Sequence, residues 1–221
     1  GRATETASSR EDRLVFAAGQ FRKGNKDISG IGVWKAGEAL SSGKPAAVIE
    51  TELAGSRISV SPTSGGLFIL NFDDAKGVLI SVSSENLRNW LADANRPARP
   101  VETASVKFNH GFGKETDAVA RGAAMMRISH DGRFLAIASA AGEPAKHLYL
   151  FDISKLNGGG MTATDGLVAD LPIKDDEVLT AVGWSLDNQF LHVLTNAKSG
   201  KLTTLHRFIL TGEKNGLKQM G

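Results

Sequence analysis

The chain has 221 residues, 26 Lys plus Arg against 24 Asp plus Glu, and no cysteine. The near-balanced charge gives no electrostatic case for nucleic acid or an anionic membrane, and the missing cysteine excludes disulfides, thiolate metal sites and a cysteine nucleophile. A hydrophobic content of 41% with 25 glycines excludes wholesale disorder, and no apolar run approaches the ~20 residues of a membrane helix.

A repeat organises the chain. Its copies are Ser9-Arg-Glu-Asp-Arg-Leu-Val-Phe16, Ser61-Pro-Thr-Ser-Gly-Gly-Leu-Phe68, Ser129-His-Asp-Gly-Arg-Phe-Leu-Ala136 and Ser185-Leu-Asp-Asn-Gln-Phe-Leu-His192, the second with one extra turn residue. The serines recur after 52, 68 and 56 residues. A period of about 55 suits a four-stranded unit with long loops.

In chain order, copy one predicts strands at Leu14–Ala18, Ile31–Lys35 and Ala47–Leu53. A loop is expected at Gln20–Ser29, whose Arg22, Lys23 and Lys26 with Phe21 are either a solvated connection or a small phosphate patch. Copy two predicts strands at Arg57–Ser61, Leu67–Asn71, Val78–Val82 and Pro100–Val106. Between the last two, Leu87, Trp90 and Leu91 fall at helical spacing. Ser84 is the expected N-cap, with Glu85 in the first turn and Pro97 and Pro100 closing the segment. Trp90 either packs against its blade or stands out as an aromatic anchor for a partner. The segment Lys107–Ala123 follows, with His110, Lys114, Glu115, Asp117 and Arg121 spread among three glycines.

Copy three predicts strands at Met125–Ser129, Arg133–Ser139, Leu148–Ile153 and Leu167–Ile173. Copy four predicts Ala181–Ser185, Gln189–Thr195 and Leu205–Leu210, with no convincing fourth strand. The second strands are nearly continuous in apolar residues, as strands covered on both faces are. The pairs Asp131-Gly132 and Asp187-Asn188 tolerate the positive φ of a two-residue hairpin turn.

This pattern resembles the β-propeller blades of the WD40 and TolB-like superfamilies, most clearly at Ser129 to Ala136 and in the Phe151-Asp152 pair ending a third strand. The Gly-His dipeptide of strict WD40 repeats is missing. The Trp-Asp slot reads Trp34-Lys35 in copy one and Phe208-Ile209 in copy four. The resemblance implies an all-β fold with four four-stranded blades, about 1–55, 56–106, 124–174 and 179–221. Insertions fall at 83–97 and 107–123, and the whole forms one domain or part of a six- to eight-bladed propeller. It also implies that the 107–123 connection lies on the face where propellers usually bind ligands.

No phosphate loop, dinucleotide fingerprint, zinc spacing or nucleophile elbow is present. Asp73-Asp74 and Asp175-Asp176-Glu177 are paired acids with either a solvent or a calcium-binding role. The strand-start residues expected along a central channel, Ile58, Met126 and Val182, are apolar rather than metal-binding. The expectation is therefore a non-catalytic scaffold that binds protein partners, with no cofactor. Its partner-binding residues would be His110, Lys114, Glu115, Asp117, Arg121 and Trp90. The alternatives are a lactonase-like or other hydrolytic propeller, and the ligand-sensing propeller of a multidomain protein. The absence of cysteine leans weakly towards a bacterial periplasm, with the cytoplasm left open.

Overall fold

The computed structural model describes residues 3–10, 13–37, 43–51, 57–72, 76–109, 124–139, 147–157, 167–172, 174, 176–200, 202–211 and 216–220. These residues form four antiparallel four-stranded sheets, each meandering in sequence order. Blade one is β1 (Ala3–Ser9), β2 (Leu14–Lys23), β3 (Lys26–Lys35) and β4 (Ala47–Glu50). Blade two is β5 (Arg57–Val60), β6 (Leu67–Phe72), β7 (Lys76–Val82) and β8 (Ala104–Asn109), with helix α1 (Ser84–Ala92) between its last two strands. Blade three is β9 (Ala124–Ile128), β10 (Phe134–Ser139), β11 (His147–Asp152) and β12 (Leu167–Pro172), with a 3-10 turn (Ile153–Asn157) after β11. Blade four is β13 (Glu177–Trp184), β14 (Phe190–Ala197), β15 (Thr203–Leu210) and β16 (Leu217–Met220).

The first strand of each blade is the inner one. β1 packs against β5, β5 against β9 and β9 against β13, while no comparable contact joins β13 to β1 among the described residues. The four blades therefore follow one another around an open arc. The fold is a β-propeller, with the architecture of part of a larger ring.

Alternation along the second strands explains their apolar runs. Along β10, Leu135 and Ile137 point towards blade two, where they join Phe68, Leu70 and Leu79. Phe134, Ala136 and Ala138 point the other way and join Leu179, Val182, Leu191 and Val193 of blade four. A strand with a neighbour on each face needs apolar residues at successive positions. β6 repeats the arrangement. Its Leu67 and Ile69 meet Phe16, Ile31 and Val33 of blade one, and its Phe68 and Leu70 meet blade three. Each large side chain buried this way contributes roughly 1.5–3 kcal/mol.

The repeated serine and aspartate build the turn between the first two strands. In blade three, the Ser129 hydroxyl donates to Asp131 Oδ1 at 2.5 Å and accepts the Phe134 N–H at 2.9 Å, and the Arg133 N–H donates to the same carboxylate oxygen at 3.0 Å. Blade four repeats this with Ser185, Asp187, Gln189 and Phe190. The turn is longer than the expected two-residue hairpin, and only its later residue takes positive φ: Gly132 at 71° and Asn188 at 58°. The aspartates keep negative φ because their role is to accept hydrogen bonds, as in an Asx turn. Asp152 of the Phe151-Asp152 pair is buried and accepts the N–H and hydroxyl of Ser154 at 3.0 and 2.6 Å.

Several expectations need correction. Blade four does have a fourth strand, β16, paired with β15 from Arg207↔Met220 to Leu210↔Leu217. Its four residues, Leu-Lys-Gln-Met, carry no apolar run, and all but Leu217 are exposed. The helix is capped by Ser83 rather than Ser84: the Ser83 hydroxyl accepts the Asn86 N–H at 3.1 Å, which is the N3 amide that an N-cap oxygen reaches. The fourth strand of blade two begins at Ala104, later than the expected Pro100.

Gln20–Ser29 is not a loop. The ladder between β2 and β3 continues to Lys23↔Lys26 and closes over Gly24 (φ 61°) and Asn25. A glycine with positive φ at the first turn position suits a type II′ hairpin. The three cations there are ladder residues, and Lys23 pairs with Glu50 of β4. Finally, Ile58, Met126 and Val182 are buried in the layers between blades and do not line a channel.

Candidate functional site

Of the residues expected to bind a partner, His110, Lys114, Glu115, Asp117 and Arg121 lie outside the described residues, as do Asp73, Asp74 and Asp175. Trp90 is described, and it is not an exposed anchor. Only 5% of it is accessible, and it packs with Leu87 into the layer between blades one and two. Its indole N–H donates to the Pro97 carbonyl at 2.8 Å, and the Arg96 guanidinium sits 5.7 Å from the ring centroid. The helix uses its apolar stripe to cover the blade edge, as amphipathic helices do.

A polar cluster that sequence reasoning missed lies between blades three and four. Each strand of blade four contributes one residue: Glu177 from β13, Thr195 from β14, His206 from β15 and Gln219 from β16. They border a cavity of about 160 Å³ whose apolar wall includes Leu148 and Leu171 of blade three and Val193 and Phe208 of blade four. His206 Nε2 lies 3.2 Å from Glu177 Oε2 and 3.0 Å from Thr195 Oγ1, and its Nδ1 lies 3.1 Å from the Gln219 side-chain nitrogen. Lys174 approaches the other Glu177 oxygen at 3.9 Å.

The hydrogen bond of Nε2 is made with Thr195 Oγ1, and the Glu177 carboxylate stands beside the same nitrogen. In a catalytic triad the acid and the nucleophile contact opposite ring nitrogens. Here both share Nε2, so Thr195 is not set up as an activated nucleophile. The cluster is a hydrogen-bonded polar row beside an apolar cavity, an arrangement suited to holding a small ligand or closing an interface. Glu177 was legible as an acid, but its partner is 29 positions away in the chain, and only pairing of the strands brings them together.

The outer face of blade four is the second candidate surface. Residues of β14 alternate: Leu191, Val193 and Thr195 are buried towards blade three, whereas Phe190, His192 and Leu194 point away and are half-buried. Register places Ile209 opposite Phe190 and Leu205 opposite Leu194. Leu205 is 64% exposed and Met220 37%. Arg207 stacks its guanidinium 4.8 Å from the Phe190 ring centroid. In the other blades the corresponding second-strand positions, such as Phe68 and Phe134, are covered by the next blade.

Solved structures share this architecture. A Lactobacillus plantarum protein superposes with a TM-score of 0.61 at 10% identity, over 99% of this chain and 55% of its own. A chain of the mitotic checkpoint complex gives 0.57 at 11% identity, over 100% of this chain and 51% of its own. The dihydro-heme d1 dehydrogenase NirN, in complex with DHE, gives 0.54 at 11% identity, over 98% of this chain and 36% of its own. The fold they share with this chain is the β-propeller. This chain spans about half the length of the first two. No protein-family model matches it, and neither does any curated protein. At such identities the likeness concerns the fold alone, and that fold carries both binding proteins and enzymes.

Proposed function

We propose that this chain supplies four blades of a non-catalytic propeller scaffold that binds protein partners within a larger assembly. The observation that carries the reading is the uncovered apolar face of blade four. Phe190, Leu194, Leu205, Ile209 and Met220 form a surface of the kind that the other blades bury against a neighbour, and contiguous exposed apolar surface marks an interaction site. The segment 107–123 is a second contact in this reading, with His110, Lys114, Glu115, Asp117 and Arg121 as its polar anchors. Long connections on a rigid scaffold are where binding residues concentrate.

The test is affinity capture of the native protein from its own cells, with intact mass measurement of the bait and of everything bound. The reading requires a stoichiometric protein partner or a bait heavier than 23.4 kDa. Leu205→Asp should then disrupt docking at the blade-four face, and Lys114→Glu with Arg121→Glu should weaken partner affinity without lowering the Tm. A lone bait of this mass whose affinity-selected ligand is only a small molecule would overturn the scaffold reading.

A further inference from the structure

The cavity of about 160 Å³ between blades three and four has two unlike ends. One is hydrocarbon, formed around Leu171 and Phe208, and the other is the polar row of Glu177, Thr195, His206 and Gln219. The space is many times the ~10–15 Å³ that one water needs, and it falls short of the ~300 Å³ at which drug-sized sites begin. It suits a small molecule with one polar and one apolar end.

Glu177 is the member of the row that lacks donors. Its side chain is only 15% exposed, yet no hydrogen bond is directed at its carboxylate among the described residues. His206 Nε2 stands 3.2 Å away but makes its hydrogen bond with Thr195 Oγ1. The Lys174 ammonium is 3.9 Å away, on a side chain that is 74% exposed, and so loose a surface pairing contributes little. A carboxylate largely withdrawn from water and short of donors is costly. Gln219 turns its side-chain nitrogen to His206 Nδ1, which leaves its carbonyl oxygen as a second acceptor.

We propose that this cavity binds a small primary amine, in its ammonium form, with a short apolar body. The ammonium brings three N–H donors, enough for Glu177 and Gln219 together, while the body lies against Leu171 and Phe208. Calcium fits less well, because it takes roughly six or more oxygen ligands and the only carboxylate here shares its surroundings with an imidazole and an ammonium. Lys174 is placed to meet a carboxylate on the same ligand, so the shared chemistry covers a simple amine and an amino acid. The cavity lies on the side of blade four opposite Phe190 and Leu205, so this inference does not rest on the scaffold reading.

The test uses the full chain, titrated calorimetrically at neutral pH with isoamylamine, L-leucine and isocaproate, which share a branched body and differ in the charged group. Saturable binding of isoamylamine is expected. Glu177→Gln, a change of nearly equal size, should weaken it about tenfold or more, the loss expected for a hydrogen bond between charged groups, and thermal unfolding of the variant confirms that it folds. Lys174→Ala, at an exposed side chain, should leave amine binding equal or tighter, since a competitor for Glu177 is gone. Tighter binding of leucine than of isoamylamine identifies an amino acid, and Lys174→Ala should then cancel the difference; equal or weaker binding of leucine identifies a simple amine. Isocaproate binding as tightly as the amine, binding of nothing, or amine binding unchanged by Glu177→Gln would overturn the assignment.

Discussion

The side-chain oxygen of Asn188 accepts the backbone N–H of His130 at 2.7 Å, so the turn that opens blade four is clasped to the turn that opens blade three. The Asp131 N–H reaches the same oxygen at 3.4 Å. Asn188 also holds φ at 58°, so one residue shapes its own turn and ties down its neighbour's. Asn188→Gly keeps the backbone and loses the clasp, and should cost about 1 kcal/mol. Asn188→Ala loses both and should cost roughly 1–2 kcal/mol more. Urea midpoints with unchanged slopes measure the two steps, and equal midpoints for glycine and wild type would remove the clasp from the account.

Gly132 makes the matching approach towards blade two. A Cβ there would clash with the Thr63 hydroxyl, lie 3.0 Å from the Ser61 hydroxyl and impose a side chain at φ 71°. Gly132→Ala should destabilise by about 2 kcal/mol or more. In a Thr63→Ala background the nearest atom is gone, and the penalty should shrink towards the ~1–2 kcal/mol of backbone strain. A double-mutant cycle reads this coupling. Strict additivity would mean that the two turns do not touch in solution.

The Ser185 hydroxyl, and after it the Gln189 N–H, stabilise the ionised carboxylate of Asp187 and hold it below the usual aspartate range. The unfolded chain then binds the proton more readily than the folded one. The contribution to stability is fully present above about pH 4 and is lost as pH falls through the depressed folded value. NMR titration should find the Asp187 carboxyl titrating below an ordinary aspartate. Asp187→Asn should flatten the acid limb of the stability profile. Ser185→Ala should move the Asp187 titration up, because it removes the leading cause, and an unmoved titration would contradict the hydrogen-bond origin.

Trp90 is a packing residue with one polar tether. Trp90→Phe should cost about 1 kcal/mol for the lost bond to Pro97, and Trp90→Ala about 3–5 kcal/mol for the cavity. Thermal unfolding gives both numbers. An alanine variant as stable as wild type would return Trp90 to the surface.

What the sequence made legible and what it hid follow from range. The apolar run Phe134–Ala138 signalled a strand covered on both faces, because alternation with two buried faces leaves no polar position. Serine and aspartate two apart marked the turns of blades three and four, since that contact is local. β16 escaped because it is four residues long and only Leu217 in it is even partly buried. The extended β2–β3 hairpin escaped because Arg22, Lys23, Lys26 and Asp27 look like a loop until Gly24 is seen to turn them into partners. The Glu177–His206 contact was out of reach, since composition does not say which strands lie side by side.

Each blade here is one uninterrupted stretch of chain, and among the described residues inner strands pack chiefly against those of adjacent blades. Stability therefore accumulates unit by unit, as in repeat proteins. A polypeptide wired this way can gain or lose a whole unit at an end without rethreading the rest. Duplicating a single segment would lengthen the arc by one step, and the apolar side of blade four already has the chemistry to receive it.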